Sequence, residues 1–547
     1  EDRVELLLVL LRSLLLLLSM SSAGSFAGGL VAGVAGTAAA ALALDQGKKM
    51  LDGGKRRTPK YVSTRGFAGA DGNGIDFETA VLMGLGTDGG LMVPTEFPQV
   101  SEEMLDSWYG LDFQSLAFEV MSLYIPRDQV SAEQLKDIVT RSYGTFRHEQ
   151  VTPVVRSGPE GKGPKILELF HGPTFAFKDV ALQFLGNLFE LFVSQKNEKV
   201  TILGATSGDT GSSAIYGLRG KQGVEVFILF PEGRVSPIQE RQMTTVPDEN
   251  IHCIAIEGTF DDAQAIVKSM FNDEKVKAEM SLGAVNSINF ARILAQIVYY
   301  FYAYLTVVPK RPKWKQGTKR SKISFSVPTG NFGDILAGYY AKRMGLPVDQ
   351  LVVATNENDI LHRFFSKGEY FKPSGVSPTL SPSMDICVSS NFERFLYHMA
   401  DDNAEKLNNW MKTFESTGKL EASPELLKRA QGEMLSARLS QPEILDTIRE
   451  NFEAHNYLLD PHSAIGVGGA TQLQKDGKLH EAVPMVCLAC AHWGKFSKAV
   501  GSAIGEDKLK QCPFPKELEK LKSLPTRKQV MPATMDAVKE HMRSILK

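Results

Sequence analysis

Cysteine is scarce in this chain: five residues in 547, at scattered positions. That is too few and too dispersed for a disulfide scaffold and suits a reducing compartment. A charge of one sign is missing too, since 61 Lys and Arg face 63 Asp and Glu for a net charge of −2. With no basic excess and no basic run longer than KRR at Lys55–Arg57, the electrostatic footprint of a nucleic-acid binder is absent. No internal repeat of fixed period occurs. What is present is ordinary globular usage, 43% hydrophobic and 23% charged, which excludes wholesale disorder. At typical domain sizes the length predicts about three or four units and a large core. Such a chain is expected to be an enzyme.

Residues 1–58 stand apart. Ser13 to Leu44 carries no charge, opens with LLLLL at Leu14–Leu18, and is followed by Lys48, Lys49, Lys55, Arg56 and Arg57. The chain starts at Glu1, so the expected initiator is either lost or Met20. A cleaved targeting segment suits an apolar stretch followed by basic residues. A membrane span suits its length, with Gly29 and Gly33 in a GxxxG spacing. A leader without function is the third reading. The chain is expected in a plastid or other organelle if the segment is a targeting signal and in the cytoplasm otherwise, with membrane contact only if the segment is retained.

From Tyr61 onward the sequence alternates strand-like and helix-like stretches. KVTILGA (Lys199–Ala205), VEVFILF (Val224–Phe230), KISFSVP (Lys322–Pro328), LVVAT (Leu351–Thr355) and PMVCLACAH (Pro484–His492) are continuous apolar runs. Such runs mark strands buried on both faces, as in a parallel sheet with crossover helices. The fold class is therefore α/β, doubly wound. Residues 59–140 predict a mainly helical N-terminal domain, 141–500 two α/β subdomains with amphipathic surface helices near 400–450, and 501–547 a helical tail. KRPKWKQGTKRSK at Lys310–Lys322 reads as a solvated basic loop, with a binding patch as the alternative.

Two glycine-rich loops lie between strand and helix: GATSGDTGSS (Gly204–Ser213) and PTGNFGD (Pro328–Asp334). A helix N-terminus offers unpaired N–H groups and partial positive charge to an anion. Neither loop is GxxxxGK[ST] or GxGxxG, so a Walker-type nucleotide site is excluded. Two such loops in one α/β unit point to two anionic groups held near each other. In ELFHGPTFAFKDVALQFLGNLFE (Glu168–Glu190), Phe177, Ala181, Phe184, Leu185 and Leu188 share one helical face. Lys178 then falls in the first turn, where the helix dipole and apolar surroundings lower an amine's pKa. A readily deprotonated lysine is what Schiff-base chemistry needs; a solvent-facing lysine beside Asp179 is the structural alternative. Together, lysine, phosphate cradle and α/β sheet describe a pyridoxal-phosphate enzyme.

The segments HGPTFAFKDVALQFLGNLFE, LGATSGDTGSSAIYGLRG, SPIQERQMTTVPDEN, GAVNSINFARILAQ, GNFGDILAGYYAKRMGLP and MDICVSSNFERFLY resemble those of fungal-type threonine synthases. That family belongs to the tryptophan-synthase-β-like, fold type II pyridoxal-phosphate enzymes. YVSTRG and GLGTDGGLMVP are similar to its extra N-terminal domain, and the likeness runs from about Tyr61 to Phe496. The resemblance implies pyridoxal 5'-phosphate as cofactor, bound covalently by Lys178. It implies O-phospho-L-homoserine as substrate, converted with water to L-threonine and phosphate in the last step of threonine biosynthesis. Gly330, Asn331, Phe332, Gly333 and Asp334 match the cofactor-phosphate loop. Ser207, Gly208, Asp209 and Thr210 match the substrate loop. Asn286, Ser287, Asn289 and Arg292 are candidates for the substrate phosphate; an ion pair is the alternative for Arg292.

At one place the sequence departs from the family. In CLACAHWGKF (Cys487–Phe496) the resemblance calls for a threonine near the cofactor's pyridine nitrogen and a proline after AH, where this chain has Cys490 and Trp493. A thiol is a weaker hydrogen-bond partner than a hydroxyl but keeps the position neutral, so activity is expected to survive. Trp493 is expected to narrow the space beside the ring. The Cys487–Cys490 CxxC lies in a strand run without further ligands at metal spacing, so no metal is expected. His462 is read as part of a helix start and His171 as a turn residue. Two rival functions stay open: a threonine dehydratase-like eliminase, and a non-catalytic cofactor-binding homologue.

Overall fold

Strands buried on both faces are where the apolar runs lie. The computed structural model describes residues 58–547 except 159, 160, 162 and 313–318. The leader expected over residues 1–58 falls, but for Thr58, outside the described residues, as does the centre of the basic loop. Thr58–Lys547 forms one unit built around two sheets.

The smaller sheet is fully parallel, in the order Gln529–Pro532, Ile251–Glu257, Val224–Pro231, Val200–Ala205 and Leu282–Gly283. The larger has the order Met434–Arg438, Val348–Thr355, Ile323–Pro328, Met485–Ala489, Lys165–Glu168 and Val154–Arg156, with only the last pair antiparallel. Two sheets with strand-to-helix crossovers make the α/β, doubly wound architecture that the apolar runs predict. Residues 59–143 form four helices (Phe77–Met83, Glu102–Ser107, Phe113–Met121, Ala132–Tyr143) and a two-stranded ribbon, Tyr61–Ser63 with Met92–Pro94.

Two expectations need correction. The C-terminal tail is not helical throughout. Gln529–Pro532 completes the edge of the smaller sheet, and Val538 and Met542 of the last helix are buried against that sheet. Near 400–450 the surface helices Ala404–Thr417, Pro424–Glu433 and Gln441–His455 are present, but Met434–Arg438 between them is an edge strand of the larger sheet. Its residues follow a helix without a break in composition, and pairing with Val348–Thr355 overrides their local preference.

Three helices fix the site. The lysine helix, Lys178–Lys196, has Ala181, Phe184, Leu185 and Leu188 in the core. It crosses Asp209–Leu218 so closely that a Cβ on Gly186 would lie 2.0 Å from the Gly217 carbonyl oxygen. Only glycine permits that approach, which sets the lysine helix and the glycine loop beside each other. The third helix, Phe290–Val307, is long and apolar enough to cross a bilayer, yet it is largely buried in the fold. It packs on the lysine helix and on Gly333–Arg343.

Candidate active site

One cavity gathers residues from all the predicted motifs. Lys178, Asp209, Thr210, Ser287, Arg292, Gly330 through Asp334 and Cys490 line it, joined by Phe177, Gln296, Ser383, Met384 and His462. A larger, open groove between Lys165, Glu443, His455 and His480 contains none of the predicted site residues.

Lys178 is the first residue of its helix and is 11% exposed at the side chain. The HGPT turn before it is pinned by Asp179, which accepts hydrogen bonds from the Thr174 N–H and hydroxyl, both at 2.7 Å. Asp179 is thus turned inward and Lys178 toward the cavity, which removes the solvent-facing alternative. The Lys178 Nζ lies 3.9 Å from Asp209 Oδ2. Burial lowers the amine's pKa, Asp209 pulls it back up, and the cations of Lys495 and Arg292 lower it further.

Asp209 has four partners. Its Oδ1 accepts from Lys495 Nζ at 2.6 Å and Gln239 Nε2 at 2.8 Å. Its Oδ2 accepts from the Ser383 hydroxyl at 3.2 Å and faces Lys178. Burial alone would raise this carboxyl, but Lys495 and Lys178 hold it well below the ordinary carboxylate range. Ser383 is placed by His462, whose Nε2 accepts the Ser383 N–H at 3.1 Å while Nδ1 bonds Asp460 at 2.7 Å. Asp460 therefore fixes the imidazole tautomer.

The Gly330–Asp334 loop is an anion cradle. Its carbonyls are engaged on the far side: Gly330 O by the Ser389 hydroxyl at 2.7 Å, and Asn331 O by the N–H and side chain of Asn391, each at 3.0 Å. Phe332, buried and at φ 64°, forms the cap of the helix Gly333–Arg343. A non-glycine residue there is strained, and such strain persists where the surroundings demand it; Phe392 and Phe395 grip its ring. Among the described residues no acceptor takes the N–H groups of residues 330–334.

Two buried polar atoms in this cavity have no partner among the described residues, Asp334 Oδ2 and Arg292 Nε. Asp334 receives Tyr299 and Tyr300 hydroxyls on Oδ1 at 2.5 and 2.8 Å, and burial still raises its pKa to about 6. Burial lowers the Arg292 pKa to about 10, and among the described residues the one hydrogen bond of its guanidinium is a long 3.5 Å contact to Val285 O. A buried guanidinium without a counter-anion is costly to the fold, and it is a fit receptor for a ligand anion.

Comparison with known proteins agrees with this geometry. The family model for the threonine synthase N terminus matches residues 60–143, that for pyridoxal-phosphate dependent enzymes residues 145–491, and that for the threonine synthase C-terminal region residues 463–542. Threonine synthase of Schizosaccharomyces pombe is 51% identical over 81% of this chain and 89% of its own length. This chain belongs to the threonine synthase family. The Saccharomyces cerevisiae threonine synthase is 47% identical over 82% of this chain and 91% of its own. Among solved structures, threonine synthase from yeast has a TM-score of 0.83 at 44% identity, covering 89% of this chain and 99% of that one. The pyridoxal-phosphate-bound threonine synthase from Brucella melitensis has a TM-score of 0.82 at 42% identity, covering 90% and 100%. Membership in this pyridoxal-phosphate-dependent family fixes the fold type, and the cavity fits the cofactor. It offers a buried lysine whose pKa burial lowers and a ring of unclaimed N–H donors.

Not every predicted site residue belongs to the cavity. Asn289 does not: its Oδ1 caps the helix Phe290–Val307 and its Nδ2 donates to Val81 O at 2.8 Å, so both polar atoms are spent on structure. Asn286 is exposed outside the lining, while Ser287 is inside, 3.1 Å from the Ser390 hydroxyl. In the first loop Ser207 is exposed and Gly208, at φ 143°, acts through its backbone, packed on Gln239. Trp493 does not narrow the cavity; it packs on His492 and Phe514. Cys490 lines the cavity just after its strand, its carbonyl accepting the Phe177 N–H at 2.7 Å and its N–H donating to Ser463 Oγ at 2.9 Å. Burial pushes its thiol far up, so it stays neutral. His171 bonds Glu168 at 2.7 Å, away from the cavity. His462, in the first turn of a helix capped by Asp460, also lines the cavity and holds Ser383; neither it nor Lys495, Ser383 or Gln296 has a spacing pattern that marks it.

Proposed function

We propose that the chain converts O-phospho-L-homoserine and water to L-threonine and phosphate, using pyridoxal 5'-phosphate held at Lys178. The observation that carries this reading is the buried Lys178 amine facing a cavity whose other wall is an unclaimed anion cradle. When bound there, the cofactor supplies an electron sink for negative charge developing at the substrate's Cα and Cβ.

The N–H groups of Gly330, Asn331, Phe332, Gly333 and Asp334 would hold its phosphate, with the dipole of Gly333–Arg343 behind them. Lys178 Nζ, buried and low in pKa, takes the proton from the substrate Cα. Loss of a second proton from Cβ lets phosphate leave Cγ; a proton then adds to Cγ, water gives its hydroxyl to Cβ and releases its proton, and a proton returns to Cα to complete L-threonine. Arg292, with no protein anion beside it, receives the substrate's phosphate and steadies it as it departs. Ser287 and Thr210 line the same space and orient the substrate. Cys490, neutral in the cavity lining, would face the cofactor's ring without adding charge there. Burial of the cavity excludes bulk water from these transfers.

The test is phosphate release from O-phosphohomoserine measured beside ammonia release from threonine. Phosphate with equimolar threonine is the expected result; ammonia alone would install the eliminase reading, and neither product the non-catalytic one. Residues 1–58 are read as an organelle-targeting leader, and sequencing the N-terminus of the mature protein from cells tests that reading.

A further inference from the structure

Lys495 is a lysine with a fully buried side chain that the reaction above does not use. Its Nζ lies 2.6 Å from Asp209 Oδ1 and donates to the Thr174 carbonyl at 2.9 Å. The same carboxylate meets Lys178 through its other oxygen at 3.9 Å. Two buried amines thus share one carboxylate, and the sharing is unequal. Lys495 has the short, charge-assisted bond and a second acceptor, while Lys178 has the long contact and a helix N-terminus behind it.

We propose that Lys495 is a positioning residue for Lys178: by claiming the Asp209 carboxylate, it leaves Lys178 as the amine without a full countercharge and therefore the one that sheds its proton. This rests on the reading that Lys178 binds the cofactor. Every charged group around Lys178 fits the assignment. Asp209 is the one carboxylate within 4.0 Å of Nζ among the described residues. Arg292 and Lys495 repel a second cation, and Cys490 is neutral. Asp179, next in the chain, is committed to Thr174, and Asp460 to His462 and Ser463. Without Lys495, Asp209 would turn its whole charge on Lys178 and hold its proton. Without Asp209, two unneutralised amines would repel and Lys178 would lose its proton more readily.

The step that reads this out is condensation of Lys178 with the cofactor aldehyde. The unprotonated amine attacks the carbonyl carbon, a C=N bond forms, and one water leaves. The full chain, stripped of cofactor, is mixed with pyridoxal 5'-phosphate across a pH series. The rate is followed by absorbance, and borohydride trapping with peptide mapping confirms the site. Lys495→Met should move the midpoint of the rate profile alkaline by at least about one pH unit, and Asp209→Asn should move it acid by a similar amount. Opposite shifts are what a merely structural loss would not produce. Unmoved midpoints, or shifts in the same direction, overturn the proposal. Should Lys495→Met fail to fold, Asp209→Asn alone decides: an acid shift supports the proposal, and a static or alkaline midpoint overturns it. A wild-type chain in which Lys178 is never trapped would instead refute the reading of Lys178 as the anchor.

Discussion

The two glycine-rich loops look alike in sequence and differ in the fold. Both leave an apolar strand, pass through glycine and open a helix aimed at the same cavity. In Gly330–Asp334 the carbonyls are tied back by Ser389 and Asn391, so the N–H groups stay open for an external anion. In the Ser207–Thr210 loop, Thr206 Oγ1 takes the N–H groups of Gly208 and Gly211 at 3.0 and 2.8 Å, and the loop carries its own anion, Asp209. One loop is a receptor for phosphate; the other holds a carboxylate between two lysines. Among the described residues the N–H groups of Ser207, Asp209 and Thr210 have no acceptor, so this second loop spends only part of its donor set internally and keeps the rest for a ligand.

The comparison can be broken from either side. The largest effect belongs to the amine between the loops: Lys178→Ala should abolish cofactor-linked absorbance and cut phosphate release by about 10⁴-fold or more. Retained absorbance with retained turnover would remove Lys178 from the chemistry. Next are paired substitutions, one in each loop. A Cβ at Gly330 would meet Met384 Cα at 3.1 Å and Ser383 O at 3.2 Å. Gly330→Val should therefore cost about 1–3 kcal/mol of overpacking, seen in equilibrium dialysis as weakened cofactor retention. Thr206→Val strands two buried N–H groups and should lower stability by about 1–3 kcal/mol in denaturant titration, with cofactor phosphate still bound. Equal loss of cofactor in both variants would mean the loops are not specialised.

Arg292→Met separates ligand binding from folding. It removes an orphan buried cation, so thermal stability should hold or rise, while the KM for O-phosphohomoserine climbs about 10- to 100-fold at the cost of a charge-assisted phosphate contact. Loss of stability with unchanged KM would make the guanidinium structural. The smallest effect is one of pH. Burial lowers the His492 pKa to about 4 against an ordinary 6.5. Between those values the unfolded chain binds more protons, so stability rises with pH there and is lost as pH falls from about 6.5 toward 4. His492 caps a short helix by accepting the Gly494 N–H at 3.0 Å. Asparagine can do the same. His492→Asn should flatten the fall of melting temperature between pH 6.5 and 4.5, and an unchanged slope would assign the acid loss elsewhere. Asp334, raised to about 6, acts with the opposite sign, stability falling as pH rises from about 4 to 6.

Much of this was legible in the sequence for a single reason: strands covered on both faces must be apolar throughout. Val200–Ala205, Val224–Pro231 and Ile323–Pro328 could be read almost to the residue. Lys178 was legible because an apolar helical face fixed its place in the first turn. The edge strands were not. Met434–Arg438 and Gln529–Pro532 are short and half exposed, so periodicity is weak and pairing alone decides them. Asn289 misled because a cap and a phosphate grip call for the same side chain, and only its contact with Val81 separates them. Lys495, Ser383 and His462 come from segments distant in sequence, and their roles arise from the converging hydrogen bonds on Asp209 and Ser383, which no local pattern encodes.

The most direct test of the account is to reduce the cofactor-loaded protein with borohydride and map the peptide that carries the pyridoxyl group. The account predicts a single modified site at Lys178. Modification of Lys495 or any other lysine, with Lys178 intact, would contradict it.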